Sequence, residues 1–211
     1  MSTRILFLAD HKWRDVPALS LIKVHLDRLL PDADVRIISF DLHQPAVELF
    51  KPHILVIPHV HGQRNGNLAD TVKRRGGVCV ILPTEGRPNT NGRIKWAVEE
   101  WPHSLCDLYL CWSDTIRDRF QGTVPAVPAV TTGCPRFDFY YPPYNSLIRP
   151  PEETKELLGL RTDDKVITLA SSYPQAKFAQ MNLDFNVRDW KDLRMTATKG
   201  QEDPALYAKK E

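Results

Sequence analysis

The stretch LPTEGRPN, residues 82–89, sets a carboxylate, Glu85, and a guanidinium, Arg87, on a loop that Pro83, Gly86 and Pro88 hold in shape, directly after the apolar run VCVI. A carboxylate on a constrained loop serves as general base toward a hydroxyl when burial or a neighbour raises its pKa toward neutrality. Arg87 offers a planar fork that suits a carboxylate or phosphate. The plainer use of the pair is structural: Glu85 caps a helix starting near Thr90 or pairs with Arg87.

Other residues with chemical capacity also follow apolar runs. Asp10 and His11, in ADHKWRD, are placed to share a proton or orient each other, and Trp13 offers an apolar face for a sugar ring; the competing reading is that Asp10 or Asp15 caps the helix that follows. His59 and His61 lie two apart and share one side of an extended segment, but no third ligand is nearby, so no metal site is expected. In GCPRFD, Gly133 permits a sharp turn or close backbone approach, and Arg136 with Asp138 is read as tying the following segment to the sheet edge.

The elements that must position these residues are short apolar runs: RILFLA (4–9), DVRIIS (34–39), HILVIP (53–58), VCVILP (78–83), DLYLCW (107–112) and VPAVTT (127–132). They read as strands buried on both faces. Helical spacing separates them, with Val16, Leu19, Ile22 and Leu26 in the first interval, then Leu68 and Val72, Ile94 and Val98, and Ile116 and Phe120. Strand alternating with helix implies right-handed crossovers and a doubly wound, mainly parallel α/β sheet. In such a sheet ligands bind beyond the carboxyl ends of the strands, which is where the polar residues named above fall. The G-x-G-x-x-G fingerprint is missing after the first strand, where ADHKWRD has no glycine, and this argues against a dinucleotide enzyme.

After Thr132 the alternation gives way to a proline-rich segment that cannot continue a helix or a ladder and reads as a stiff connector. A helix over 152–158 closed by Gly159 and a strand KVITLA (165–170) then look like the opening of a second α/β unit. The expected organisation is a Rossmann-like domain over 1–140, a connector and linker helix over 141–160, and an incomplete second Rossmann-like domain over 161–211.

The totals exclude several classes. Twenty-eight Lys and Arg against 26 Asp and Glu give a formal net charge of +2, scattered along the chain, so no nucleic-acid footprint is present. No apolar run approaches the roughly 18 residues of a membrane span, and the first one is too short for a signal-peptide core. A soluble, cytoplasmic protein is expected. The four cysteines form no C-x-x-C pair and are expected to be reduced and structural.

FLADHKWRD, LPTEGRPN and TGCPRFDFYYPP together resemble proteins of bacterial surface-carbohydrate biosynthesis with a GT-B glycosyltransferase architecture. GCPRFD is also similar to an element of the CDP-glycerol glycerophosphotransferases and, more loosely, to a segment of the UDP-N-acetylglucosamine 2-epimerases. SSYPQAKF (171–178) resembles the first loop of the second domain in the same proteins, and FNVRDW continues the likeness. The resemblance implies two facing Rossmann-like domains, the first holding a saccharide acceptor and the second a nucleotide-sugar donor, with no cofactor or metal and with work at the inner face of the membrane. It implies catalytic roles for Glu85, Asp10 and His11, acceptor contacts from Arg87, Asn89, Trp13 and Arg136, and donor contacts from Ser171, Ser172 and Lys177. Because a second domain of that kind is longer than 161–211, the chain is expected to be an N-terminal part that needs a further domain or a partner chain. The alternatives are a non-catalytic interaction module and an epimerase-like enzyme.

Overall fold

The computed structural model describes residues 2–84, 94 and 105–168, which fall into two compact units divided after Pro150. In the first unit six strands form one parallel sheet: β1 (Arg4–Ala9), β2 (Asp34–Ser39), β3 (Ile54–Ile57), β4 (Val78–Ile81), β5 (Leu108–Cys111) and β6 (Ala129–Thr131). Their order is β2-β1-β3-β4-β5-β6. The crossovers include α1 (Lys12–Leu29), α2 (His43–Phe50), α3 (Gln63–Arg74) and α4 (Asp114–Thr123), so the fold is the Rossmann-like α/β class expected from the alternation of patterns.

Strand pleating divides the core into two layers. Ile5, Phe7 and Ala9 of β1 point to the face covered by α1 and meet Leu19, Val35 and Val56. Leu6 and Leu8 point to the opposite face, where Val47 and Phe50 of α2, Leu68 and Val72 of α3 and Phe120 of α4 pack. Phe120 stacks on Tyr109 of β5 at 4.1 Å between ring centroids. The helical, fully buried Ile94 joins the same layer. That α1, among the described helices of the crossovers, lies on the opposite face from α2, α3 and α4 follows from handedness: β1 to β2 steps leftward in the sheet, the later steps go rightward, and right-handed connections in opposite directions lie on opposite faces.

The strands are not all buried on both faces. β2 is an edge strand, with Val35 buried but Arg36 and Ser39 exposed, and β6 at the other edge exposes Val130 and Thr131. An edge has no neighbour to shield one side, which explains the charged position inside DVRIIS.

The proline-rich connector runs through two 3-10 segments, Pro135–Tyr140 and Tyr144–Leu147. It lies along α1, where the Tyr144 hydroxyl and His25 Nε2 are hydrogen-bonded at 2.6 Å.

The second unit opens with α5 (Pro151–Leu157). Gly159, at φ +68°, ends it as a left-handed cap, with its N–H on the Glu156 carbonyl and the Leu160 N–H on the Lys155 carbonyl. Lys165, Val166, Ile167 and Thr168, the described part of the expected strand over 165–170, are not in a strand; Ile167 is 96% exposed and no ladder partner meets it among the described residues. An extended apolar run becomes a strand only when a neighbour takes its backbone groups. No described helix is long and apolar enough to cross a membrane.

Candidate functional site

The sheet order reverses between β1 and β3, because β1 leads outward to β2 and the chain then returns past it to β3. In open α/β sheets ligands bind beyond the carboxyl ends of the strands at such a reversal. The residues that follow these carboxyl ends are 10–15 after β1, 58–65 after β3, and Pro83 and Thr84 after β4.

On the β1 side the organising group is Asp15, which is fully buried in the first turn of α1. Its Oδ2 accepts the backbone N–H groups of Asp10 and His11 at 3.0 and 2.9 Å, and its Oδ1 accepts Arg14 Nε at 2.6 Å. His11 is the N-cap of α1, its Nδ1 accepting the Arg14 N–H at 3.2 Å. These two reciprocal contacts make a capping box in which a histidine replaces the usual hydroxyl and the acid sits one position further on. Burial pushes the Asp15 carboxyl up, but hydrogen bonds from Arg14 and the His11 amide, together with the Arg14 charge, outweigh it and hold the group below the usual carboxylate range.

Asp10 and His11 do not hydrogen-bond to each other. Asp10 turns to Arg14, whose Nη2 reaches its Oδ2 at 3.1 Å, while His11 spends Nδ1 on the cap. With Nδ1 an acceptor, the neutral ring carries its proton on Nε2, which is left for the exposed side. Trp13 is 76% exposed, with Lys12 Nζ 4.7 Å from the ring centroid.

On the β3 side His59 is fixed by Asn65, a nearly fully buried residue of α3. Asn65 Nδ2 donates to the His59 carbonyl at 3.0 Å and to Nδ1 at 3.1 Å, which again puts the proton of a neutral ring on Nε2. The His61 ring lies 6.1 Å from that of His59. Gly62, at φ +82°, makes the turn from this segment into α3. Among the described residues no three His, Cys, Asp or Glu side chains gather to hold a metal ion.

The end of β4 joins the two sides. The Thr84 hydroxyl is close enough to Asp15 to help hold its pKa down, although it forms no hydrogen bond of normal geometry among the described residues. Trp112, after β5, donates its indole N–H to the Pro83 carbonyl at 3.0 Å and meets Phe137 edge-on at 5.7 Å. This is the contact that ties the connector to the sheet. Arg136 and Asp138, expected to tie the connector to the sheet edge, show other contacts among the described residues: the Arg136 guanidinium lies over the Phe137 ring at 6.0 Å, and the Asp138 carbonyl accepts the Tyr141 N–H. Gly133, at φ +79°, turns the chain into this segment.

Asp10, His11 and Trp13 thus follow the carboxyl end of β1, whereas Arg136 belongs to the connector. Glu85, Arg87, Asn89, Ser171, Ser172 and Lys177 lie outside the described residues. The reading that Asp10 or Asp15 caps the following helix names Asp15, which holds the Asp10 and His11 amides at the start of α1, whereas Arg14, Asn65 and Trp112 are not singled out by it. The signal for Asp15 is an acid four residues after a polar helix start, a variant of a capping pattern. Against models of known protein families and against curated proteins, the chain has no match.

Proposed function

We propose that the first unit is the acceptor-holding half of a GT-B-type glycosyltransferase that transfers a sugar from a nucleotide-activated donor in bacterial surface-polysaccharide biosynthesis, working in the cytoplasm at the inner face of the membrane. The observation that carries this reading is the β1 loop locked by Asp15 at the reversal of strand order, with Asp10, His11 and Trp13 after the carboxyl end of β1 and Thr84, the residue before Glu85, after the carboxyl end of β4. Support also comes from the three sequence stretches that resemble that group of proteins and from the glycine-free first loop.

In the proposed reaction the acceptor hydroxyl oxygen attacks the anomeric carbon of the donor, and the bond from that carbon to the diphosphate breaks. Glu85 takes the hydroxyl proton, and the nucleoside diphosphate leaves with the bonding electrons. Arg87 and Asn89 hold the acceptor, Trp13 offers its ring face, and the His11 Nε2–H donates to an acceptor oxygen. Ser171, Ser172 and Lys177 stabilise the charge on the leaving diphosphate, so the chemistry needs no cofactor or metal. A locked β1 loop lowers the entropy lost on reaching the reactive geometry.

A second reading, an interaction module, is supported by the exposed Leu157, Leu158 and Ile167 of the second unit. Two experiments separate the readings. Calorimetry with CMP, CDP, UDP and GDP should find micromolar binding of one nucleotide. Release of nucleoside diphosphate from a panel of sugar nucleotides should fall at least about a hundredfold in Glu85→Gln while the melting temperature is unchanged. Near-normal turnover of Glu85→Gln would remove it from the mechanism, and no nucleotide binding would leave this chain at most the acceptor-holding half.

A further inference from the structure

β2 stands at an edge of the sheet among the described residues. The Asp34 N–H donates inward to the Thr3 carbonyl at 2.8 Å, so by strand alternation Arg36 and Ile38 also turn their backbone groups toward β1. Val35 and Ile37 therefore present N–H and C=O outward, and among the described residues no strand accepts them. On the α2 side of the same edge lies a groove of about 570 Å³, floored by Ile38 and walled by Leu42, Pro45, Ala46, Leu49 and Phe50. Leu42 and Leu49 are 57% and 84% exposed.

The charges select the occupant. Asp34 and Arg36 point to the same face and are both substantially exposed; within one chain they form a two-pronged ion pair at 3.0 and 2.8 Å. In an antiparallel pairing that sets Val35 opposite its own symmetry mate, the outward groups of Val35 exchange hydrogen bonds across the two-fold axis. Arg36 then faces Asp34 of the second copy, and Asp34 faces its Arg36, at the closely spaced, non-hydrogen-bonded positions. A shift of the axis to Arg36 would oppose two guanidiniums. One surface that satisfies itself in this way is what a two-fold interface requires.

We propose that this protein self-associates through β2, joining two six-stranded sheets edge to edge in the Val35-centred register with both α2 helices on one face. The pairing satisfies the open backbone groups of Val35 and brings the two apolar grooves alongside the axis.

The test is size-exclusion chromatography with light scattering across a concentration series. The wild-type chain forms a dimer. Asp34→Arg and Arg36→Asp each oppose like charges across the axis and weaken dimerisation at least about tenfold. An equimolar mixture of the two variants recovers a heterodimer, because each introduced charge then faces one of opposite sign on the other chain. A local structural effect of either substitution would not be repaired by mixing two separate chains. A wild-type monomer at every concentration, single variants that dimerise as well as wild type, or a mixture that stays monomeric would each overturn the proposal.

Discussion

The Asp15 carboxylate accepts the backbone N–H of His11 at 2.9 Å while the His11 ring accepts the N–H of Arg14, so the loop leaving β1 and the first turn of α1 close on each other. The loop at the carboxyl end of β1 is thereby held by a buried residue that has no exposed surface of its own.

Removing that carboxylate leaves the Asp10 and His11 amides and the Arg14 guanidinium without their acceptor. Asp15→Ala should cost about 3–5 kcal/mol, within the range for breaking a buried charged network. Asp15→Asn keeps one carbonyl acceptor and should cost less, about 1–3 kcal/mol. Urea unfolding of the two variants against wild type checks the order, and a loss under about 1 kcal/mol in Asp15→Ala would mean that the loop is held by other contacts.

The same carboxylate predicts a pH dependence. Its folded pKa lies below the unfolded value, so the stability it contributes is fully present above the unfolded pKa, about 3.9, and is lost as pH falls through the lower folded value. The stability gap between wild type and Asp15→Asn should be flat from about pH 5 to pH 8 and should shrink only below about pH 4. Paired denaturation curves across that span measure it. A gap that closed between pH 6 and pH 7 would place its origin in a histidine.

The cysteines should divide three to one. Cys79, Cys106 and Cys111 are buried in the core; burial pushes the thiol of Cys79 far up, that of Cys106 up to about 12 and that of Cys111 up to about 11. Thiolate is the reactive form, so none of the three should react near neutrality. Alkylation of the native chain at pH 8 with mass-spectrometric counting should modify Cys134 alone, and all four should react in denaturant. Rapid native labelling of Cys106 would show that its end of β5 opens.

The strands were legible because each stretch is bounded by its own stop signals. RILFLA and DVRIIS match β1 and β2 residue for residue, while the runs over 53–58 and 78–83 lose end residues, among them Pro58 and Pro83, which have no N–H for a ladder. α2 carried little pattern, since only Val47 and Phe50 are buried in it and Pro45 sits in its first turn. The β1 rim was legible as a place, but the role of each residue was not. Whether Asp10 meets His11 or Arg14 depends on which carboxylate fills the turn, and the turn is filled by Asp15. The run over 165–170 shows the limit of periodicity, because the apolar pattern is present and its described part has no neighbouring strand.

Three glycine-to-alanine substitutions should rank in a fixed order. At Gly77, between α3 and β4, an added Cβ would lie 2.6 Å from Val72 Cγ1 and 2.9 Å from the His53 carbonyl oxygen. That oxygen is the acceptor for the Val78 N–H, so the contact pushes on the registration of β3 against β4, and a cost of about 1–3 kcal/mol follows. Gly76 has open space around it but φ +79°, and Gly76→Ala should cost about 1–2 kcal/mol from backbone strain alone. Gly122, in the last turn of α4, has open space and no positive φ, and alanine there should stabilise by up to about 0.5–1 kcal/mol. Melting temperatures should therefore rise for Gly122→Ala and fall for the other two. A second measurement separates those two: amide exchange at Val78 should accelerate in Gly77→Ala and stay unchanged in Gly76→Ala, because only the first displaces the strand that starts there.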